Sequence, residues 1–157
     1  MKHFFYCIFL FSGILIPGNL AAQQADIQLM KPDLTSGKPL MLALNERSSH
    51  REFNEKELTQ QHLSDLLWAA CGINRTESGK RTAPSAMNWQ DVDVYVILKT
   101  GIYLYNGKEH KLALIVEGDH RVAAGSQDFV AKAPVNLIYV SDYSRMTKAS
   151  EEDMEFY

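Results

Sequence analysis

At 157 residues, with 46% hydrophobic and 22% charged side chains, the chain is long enough for one globular domain and too apolar for a disordered one. A formal charge of −3, with no Lys/Arg run of five or more, argues against a nucleic-acid-binding surface. The two cysteines, Cys7 and Cys71, exclude zinc ribbons, CxxC redox motifs and haem attachment.

The N-terminus departs from the remainder. Lys2 and His3 precede an apolar run over residues 4–16, followed by Pro17, Gly18 and small residues through Ala21 and Ala22. This pattern predicts a secretory signal peptide over residues 1–22; an uncleaved anchor is the other reading of the same run. Cleavage after Ala22 would place the protein in the periplasm or outside the cell, with no further membrane contact. Removing 22 of 157 residues leaves 135, at a charge of −4, because Lys2 is the only charged side chain lost. Cys7 lies inside the apolar run and not at its end, unlike a lipoprotein cysteine. Cys71 then stands alone, so the exported location rests on the leader and not on disulfide use.

Residues 24–40 carry two prolines and a Ser-Gly pair with little periodicity, which predicts an extended arm over residues 23–38. From Leu40 the pattern turns helical, with Met41, Ala43 and Leu44 forming an apolar face that ends at the polar stretch "NERSSHR". The clearest helix follows. Thr59 is its cap, Leu58 and Leu63 flank that cap as a hydrophobic staple, and Leu63, Leu66, Leu67 and Ala70 form an i, i+3, i+4, i+7 stripe stopped by Gly72. Residues 74–90 read as a loop entering a short helix near Ser85. Val92, Val94, Val96 and Leu98 then alternate as one face of a strand. Asn106-Gly107 marks a hairpin into "HKLALIV", residues 117–132 read as polar and partly helical, and residues 135–140 as a short buried strand. Ser150 and the two glutamates after it open another helix. Helices first and an antiparallel sheet after them predict an α+β domain, a central sheet flanked by helices.

Two clusters could carry chemistry. Arg47 and Arg51, spaced i, i+4 with Ser48 and Ser49 between, place two guanidiniums on one helical face, suited to phosphate or another planar anion. A solvated helix end with Glu46 and Glu52 as partners fits the same spacing. The stretch "GKRTAPSAMNWQ" sets cations beside Ser85, Asn88 and Gln90, whose amides donate and accept as the edge of a heterocycle requires; a satisfied loop is the plainer alternative. His50, His62, His110 and His120 have no metal-binding spacing, so no metal is expected. Cys71, apolar in its surroundings and at a helix C-terminus, is a poor nucleophile.

Taken together, "ERSSHREF", "LSDLLWAACGINR", "GKRTAPSAMNWQ" and "GIYLYNGKEHKL" resemble the nitroreductase family of flavoproteins, most closely its azoline-oxidising branch from peptide maturation. The resemblance covers about residues 39–140, with the four motifs in the family's order. It implies an α+β domain over residues 39–157, a homodimer, and FMN at the subunit interface. Arg47, Ser48, Ser49 and Arg51 would contact the FMN phosphate, ribityl chain and pyrimidine edge. Pro84, Ser85 and Asn88 would lie along the flavin, partly donated by the other subunit, and Gln90 falls where the family often carries a polar residue. The function implied is an exported FMN-dependent oxidoreductase. It would pass electrons ping-pong fashion through bound flavin to a small-molecule or peptide acceptor. No side chain need be catalytic, and Arg51 would stabilise charge on the reduced flavin as an oxyanion hole does. Family members continue past the equivalent of Tyr157 with a dimer-core helix, a strand and a basic segment. The domain therefore reads as C-terminally incomplete, and a non-catalytic remnant or binding module of the same fold is the alternative.

Overall fold

The computed structural model describes residues 25–54, 56–147 and 150. The leader over residues 1–22 and the helix expected after Ser150 lie outside them. No helix among the described residues is long and apolar enough to cross a membrane.

A five-stranded antiparallel sheet, in the order β1-β6-β5-β4-β7, forms the centre. Its strands are β1 (Ile27–Gln28), β4 (Val92–Leu98), β5 (Gly101–Asn106), β6 (Lys111–Glu117) and β7 (Asn136–Ser141). The alternation in β4 works as expected: Val94 and Val96 are buried against one face. The β5–β6 hairpin forms at Asn106-Gly107, but its loop is longer than a two-residue turn. Asn106 pairs with Lys111, and the Asn106 side-chain oxygen accepts from the Lys108 and Glu109 amides at 3.0 and 3.1 Å.

The helix α2 (Gln60–Cys71) lies on that sheet face, capped by Thr59, whose hydroxyl accepts from the His62 amide at 3.1 Å. Leu63, Leu67 and Cys71 meet Val94, Val96, Tyr103, Tyr105 and Leu112, with Leu29 from the arm closing the core. The inward face differs from the predicted stripe. Ser64 is fully buried and Leu66 is exposed, because Ser64 finds polar partners inside: its hydroxyl hydrogen-bonds the Met30 carbonyl. Gly72 ends the helix with an ordinary φ of −71°. Glycine is needed there because any Cβ would collide with the Trp68 indole.

Three other expectations change. The loop of residues 74–90 contains a small antiparallel ribbon, β2 (Ile73–Arg75) with β3 (Lys80–Arg81). Residues 117–132 supply only two 3-10 turns, Arg121–Ala124 and Val130–Lys132. The strand β7 is a sheet edge and not buried: Tyr139 is 56% exposed and Val140 44%.

The helix α1 (Leu40–Glu46) forms where expected but has no buried residue, with Leu40 72% and Met41 76% exposed. The architecture is nonetheless the predicted one, an α+β domain built on an antiparallel sheet.

Candidate functional site

The first cluster is not helical. The helix α1 stops at Glu46, and Arg47 has extended dihedrals of −62° and 124°, so Arg47 and Arg51 share no helical face. Seven residues with no side-chain cap and no buried contact cannot propagate a helix through Ser48 and Ser49. Glu46 is engaged by Lys38 and not by Arg47. Among the described residues neither Arg47 nor Arg51 has an acidic partner. Arg51 instead lies over the Phe129 ring, 5.6 Å from its centroid, and Ser48 shares a 2.8 Å hydrogen bond with His50. Arg47, Ser48, Ser49 and Arg51 are all exposed, four polar side chains displayed on an extended strand of chain.

The second cluster is tightly built. Ser85 precedes a 3-10 turn, Ala86–Asn88, and within and just after it three residues that carry a Cβ enter the left-handed region, with right-handed Trp89 among them. Their φ values are 51° at Met87, 58° at Asn88 and 50° at Gln90. Such values are uphill for all but glycine, and only asparagine tolerates them readily. Hydrogen bonds hold the run in place: the Gln90 amide donates to Ser85 Oγ at 2.7 Å, and Gln90 Nε2 donates to the Gly79 carbonyl at 3.0 Å. Pro84, Ser85, Asn88 and Gln90 line one cleft of about 300 Å³ with Arg75, Lys80 and Arg81. All four predicted residues of this segment therefore meet.

Among the described residues no hydrogen bond, ion pair or ring contact joins the two clusters, and none of four clefts is lined from both segments. Within one chain the predicted site is two half-sites.

A third group escaped the sequence reading. Tyr105, His110 and Ser64 form a chain of hydrogen bonds, 2.8 Å from the phenol to Nδ1 and 2.7 Å from Nε2 to Ser64 Oγ. Ser64 donates onward to the Met30 carbonyl, so Nε2 carries the proton and Nδ1 accepts from the phenol. An imidazole in that tautomer cannot deprotonate the serine, so this is no nucleophilic dyad. It is a pin. His110 also accepts the Leu29 amide through its carbonyl at 3.2 Å, fastening the N-terminal arm to the β5–β6 turn. Burial holds the imidazole below its usual 6.5 and pushes the Tyr105 phenol up to about 12. No local motif announces a group assembled from residues 64, 105 and 110. Cys71 is buried, with Arg81 Nη1 3.4 Å from its sulfur. Among the described residues no three His, Cys, Asp or Glu side chains are grouped to hold a metal ion.

Comparison with known proteins gives matches of three kinds. A family model described as the nitroreductase family covers residues 44–157. A protein assigned as a nitroreductase in Methanocaldococcus jannaschii is 32% identical over 132 residues, 78% of this chain and 66% of that protein. The crystal structure of a protein assigned as a nitroreductase from Ralstonia eutropha superposes with a TM-score of 0.79 at 42% identity, covering 88% of this chain and 66% of that one. The chain thus spans about two thirds of the length of each of these two relatives.

Proposed function

The chain belongs to the nitroreductase family, which generally uses flavin cofactors, and from that premise we propose that it serves as an FMN-dependent oxidoreductase. The observation that carries this reading is the state of the Arg47 and Arg51 guanidiniums. They are exposed and without acidic partners among the described residues, in a chain of net negative charge. Uncommitted planar donors of that kind match a phosphate and the electron-rich edge of a heterocycle. The donor set of the second cluster fits as well: Asn88 accepts from Gln90 through its oxygen, at 3.3 Å, which leaves its NH₂ group to donate.

A bound flavin supplies the two-electron chemistry, and the protein's part is binding and electrostatics. Arg47 would neutralise the phosphate of such a cofactor. Arg51, steadied over Phe129, would supply a fixed cation that favours negative charge on the reduced ring. Asn88 and Gln90 give the second half-site hydrogen-bonding groups on a preorganised backbone. The division of the site between separate surfaces supports a homodimer, each flavin held by Arg47 to Arg51 of one copy and residues 84–90 of the other. The bare apolar residues Leu40, Met41, Leu42 and Leu44 favour the same arrangement, since such a patch seldom stays in water.

We place the protein outside the cytoplasm, after removal of residues 1–22, where the electron donor is of a class other than cytosolic nicotinamide nucleotides. The acceptor is a small molecule or, as in the azoline-oxidising branch, a peptide heterocycle. A second reading is a binding module of the same fold, favoured by the separation of the two clusters among the described residues.

The absorbance spectrum of the purified chain, after incubation with FMN and desalting, separates the two. Flavin bands near roughly 370 and 450 nm at one per chain are expected for the enzyme. A colourless, folded protein would support the binding module.

A further inference from the structure

We infer that Arg145 is a positioning residue for the 84–90 segment: by its hydrogen bond to the Gln90 carbonyl it holds the left-handed run in its ligand-ready shape. The hydrogen bonds of Gln90 to Ser85 and Gly79 do not engage its carbonyl, and backbone at φ values of 51° and 50° persists only where the surroundings over-determine it.

The surroundings do so at three successive carbonyls. Arg145 Nη1 donates to the Gln90 carbonyl at 3.1 Å, the Asp142 amide donates to the Asp91 carbonyl at 2.9 Å, and Arg81 Nη1 donates to the Val92 carbonyl at 2.8 Å. Two arginines and a backbone amide thus lock the exit from the run into β4. Arg145 comes from a 3-10 turn, Tyr143–Arg145, that lies 55 residues further along the chain.

Arg145 is itself held rigidly. Its fork meets both oxygens of Asp93, at 2.8 and 2.7 Å, and its Nε approaches Asp142 at 3.1 Å. A planar fork gripped on two sides presents the second N–H of Nη1 in one fixed direction, which an ammonium group does not do. The side chain is 36% exposed and, with Arg81 and Gln90, borders a cleft of about 660 Å³. It therefore sits at a ligand-accessible margin and not in the packed core. The purpose of the holding rests on the flavin reading above, whereas the holding rests on hydrogen bonds alone.

The test uses the full chain and Arg145→Lys, Arg145→Met and Arg145→Ala, with amide exchange and FMN titration as separate readouts. Exchange at Trp89 and Gln90 is expected to quicken at least about tenfold in all three variants, while the amides of α2 and β5 keep their wild-type rates. FMN affinity is expected to fall about tenfold in parallel. Millimolar guanidinium is expected to restore both quantities in Arg145→Ala. Unchanged exchange at Trp89 and Gln90 overturns the inference. So does acceleration throughout the sheet, which would make Arg145 a general stabiliser. Local acceleration with unchanged FMN affinity overturns it too, because the segment's shape would then not matter to the ligand. A wild-type chain that takes up no FMN sinks the flavin reading instead, and the exchange rates then decide the role of Arg145 alone.

Discussion

Residues 33–60 and the β4–β5–β6 sheet under α2 are opposite solutions to the same problem. In the first region every described side chain is exposed, including Leu34, Leu40, Met41, Leu44 and Phe53. In the second, Tyr103, Leu67, Leu112 and Val96 are fully buried within a few residues of one another. The sheet satisfies its own apolar surface, and the 33–60 excursion does not. An element that cannot complete itself inside one chain is where partners and ligands are recruited, and Arg47 to Arg51 lie in that element.

This contrast assigns stability to one region and binding to the other. Tyr103→Ala and Leu67→Ala should each destabilise the fold by about 3–5 kcal/mol, measured by chemical denaturation. Leu40→Ala should leave the midpoint of the monomer unchanged. A large loss from Leu40→Ala at high dilution would show the excursion to be part of the core after all.

Next in size, Arg47→Ala and Arg51→Ala should each weaken FMN binding by about 1.5–3 kcal/mol, read by fluorescence titration, while thermal stability holds. Either variant binding as tightly as wild type would remove that arginine from the cradle. Thr59→Ala should lower stability by about 1 kcal/mol through the lost cap, a local effect that leaves flavin affinity alone.

The last effect is a slope and not a step. His110 is held below 6.5 by burial, so the unfolded chain binds a proton that the folded chain resists. The imidazole therefore contributes its stability in full above pH 6.5, and that contribution is lost as pH falls below it. Denaturation midpoints at pH 7.5 and 5.5 should differ more in the wild type than in His110→Gln. Equal differences would mean that other groups set the acid limit.

How much of this was legible depended on range. The cap at Thr59, the alternation of β4 and the Asn106-Gly107 hairpin are written in neighbouring residues, and each formed. The stripe on α2 was misjudged at one step, because Ser64 is drawn inward by Met30 and His110, partners 34 and 46 residues away. The helical spacing of Arg47 and Arg51 misled for a related reason. Spacing states what a helix would align, and α1, seven residues with none of them buried, ends before either arginine. The left-handed residues were illegible, since only Asn88 hints at positive φ and the donor to the Gln90 carbonyl, Arg145, lies 55 residues away. Residues 84, 85, 88 and 90 nevertheless line one cleft, because a short segment keeps its members together whatever its dihedrals.

The chain has two tryptophans, and the fold has given one to each kind of region. Trp68 is seated on the scaffold, its indole against Gly72 and its Nε1 donating to the Ile73 carbonyl at 3.3 Å. Trp89 sits between Asn88 and Gln90 in the held backbone run. The molecule therefore carries two intrinsic fluorophores with separate duties. In Trp68→Phe the remaining emission reports on the half-site, and in Trp89→Phe it reports on the packing of α2. Unfolding and ligand capture become optically distinct events in a protein bearing no added label.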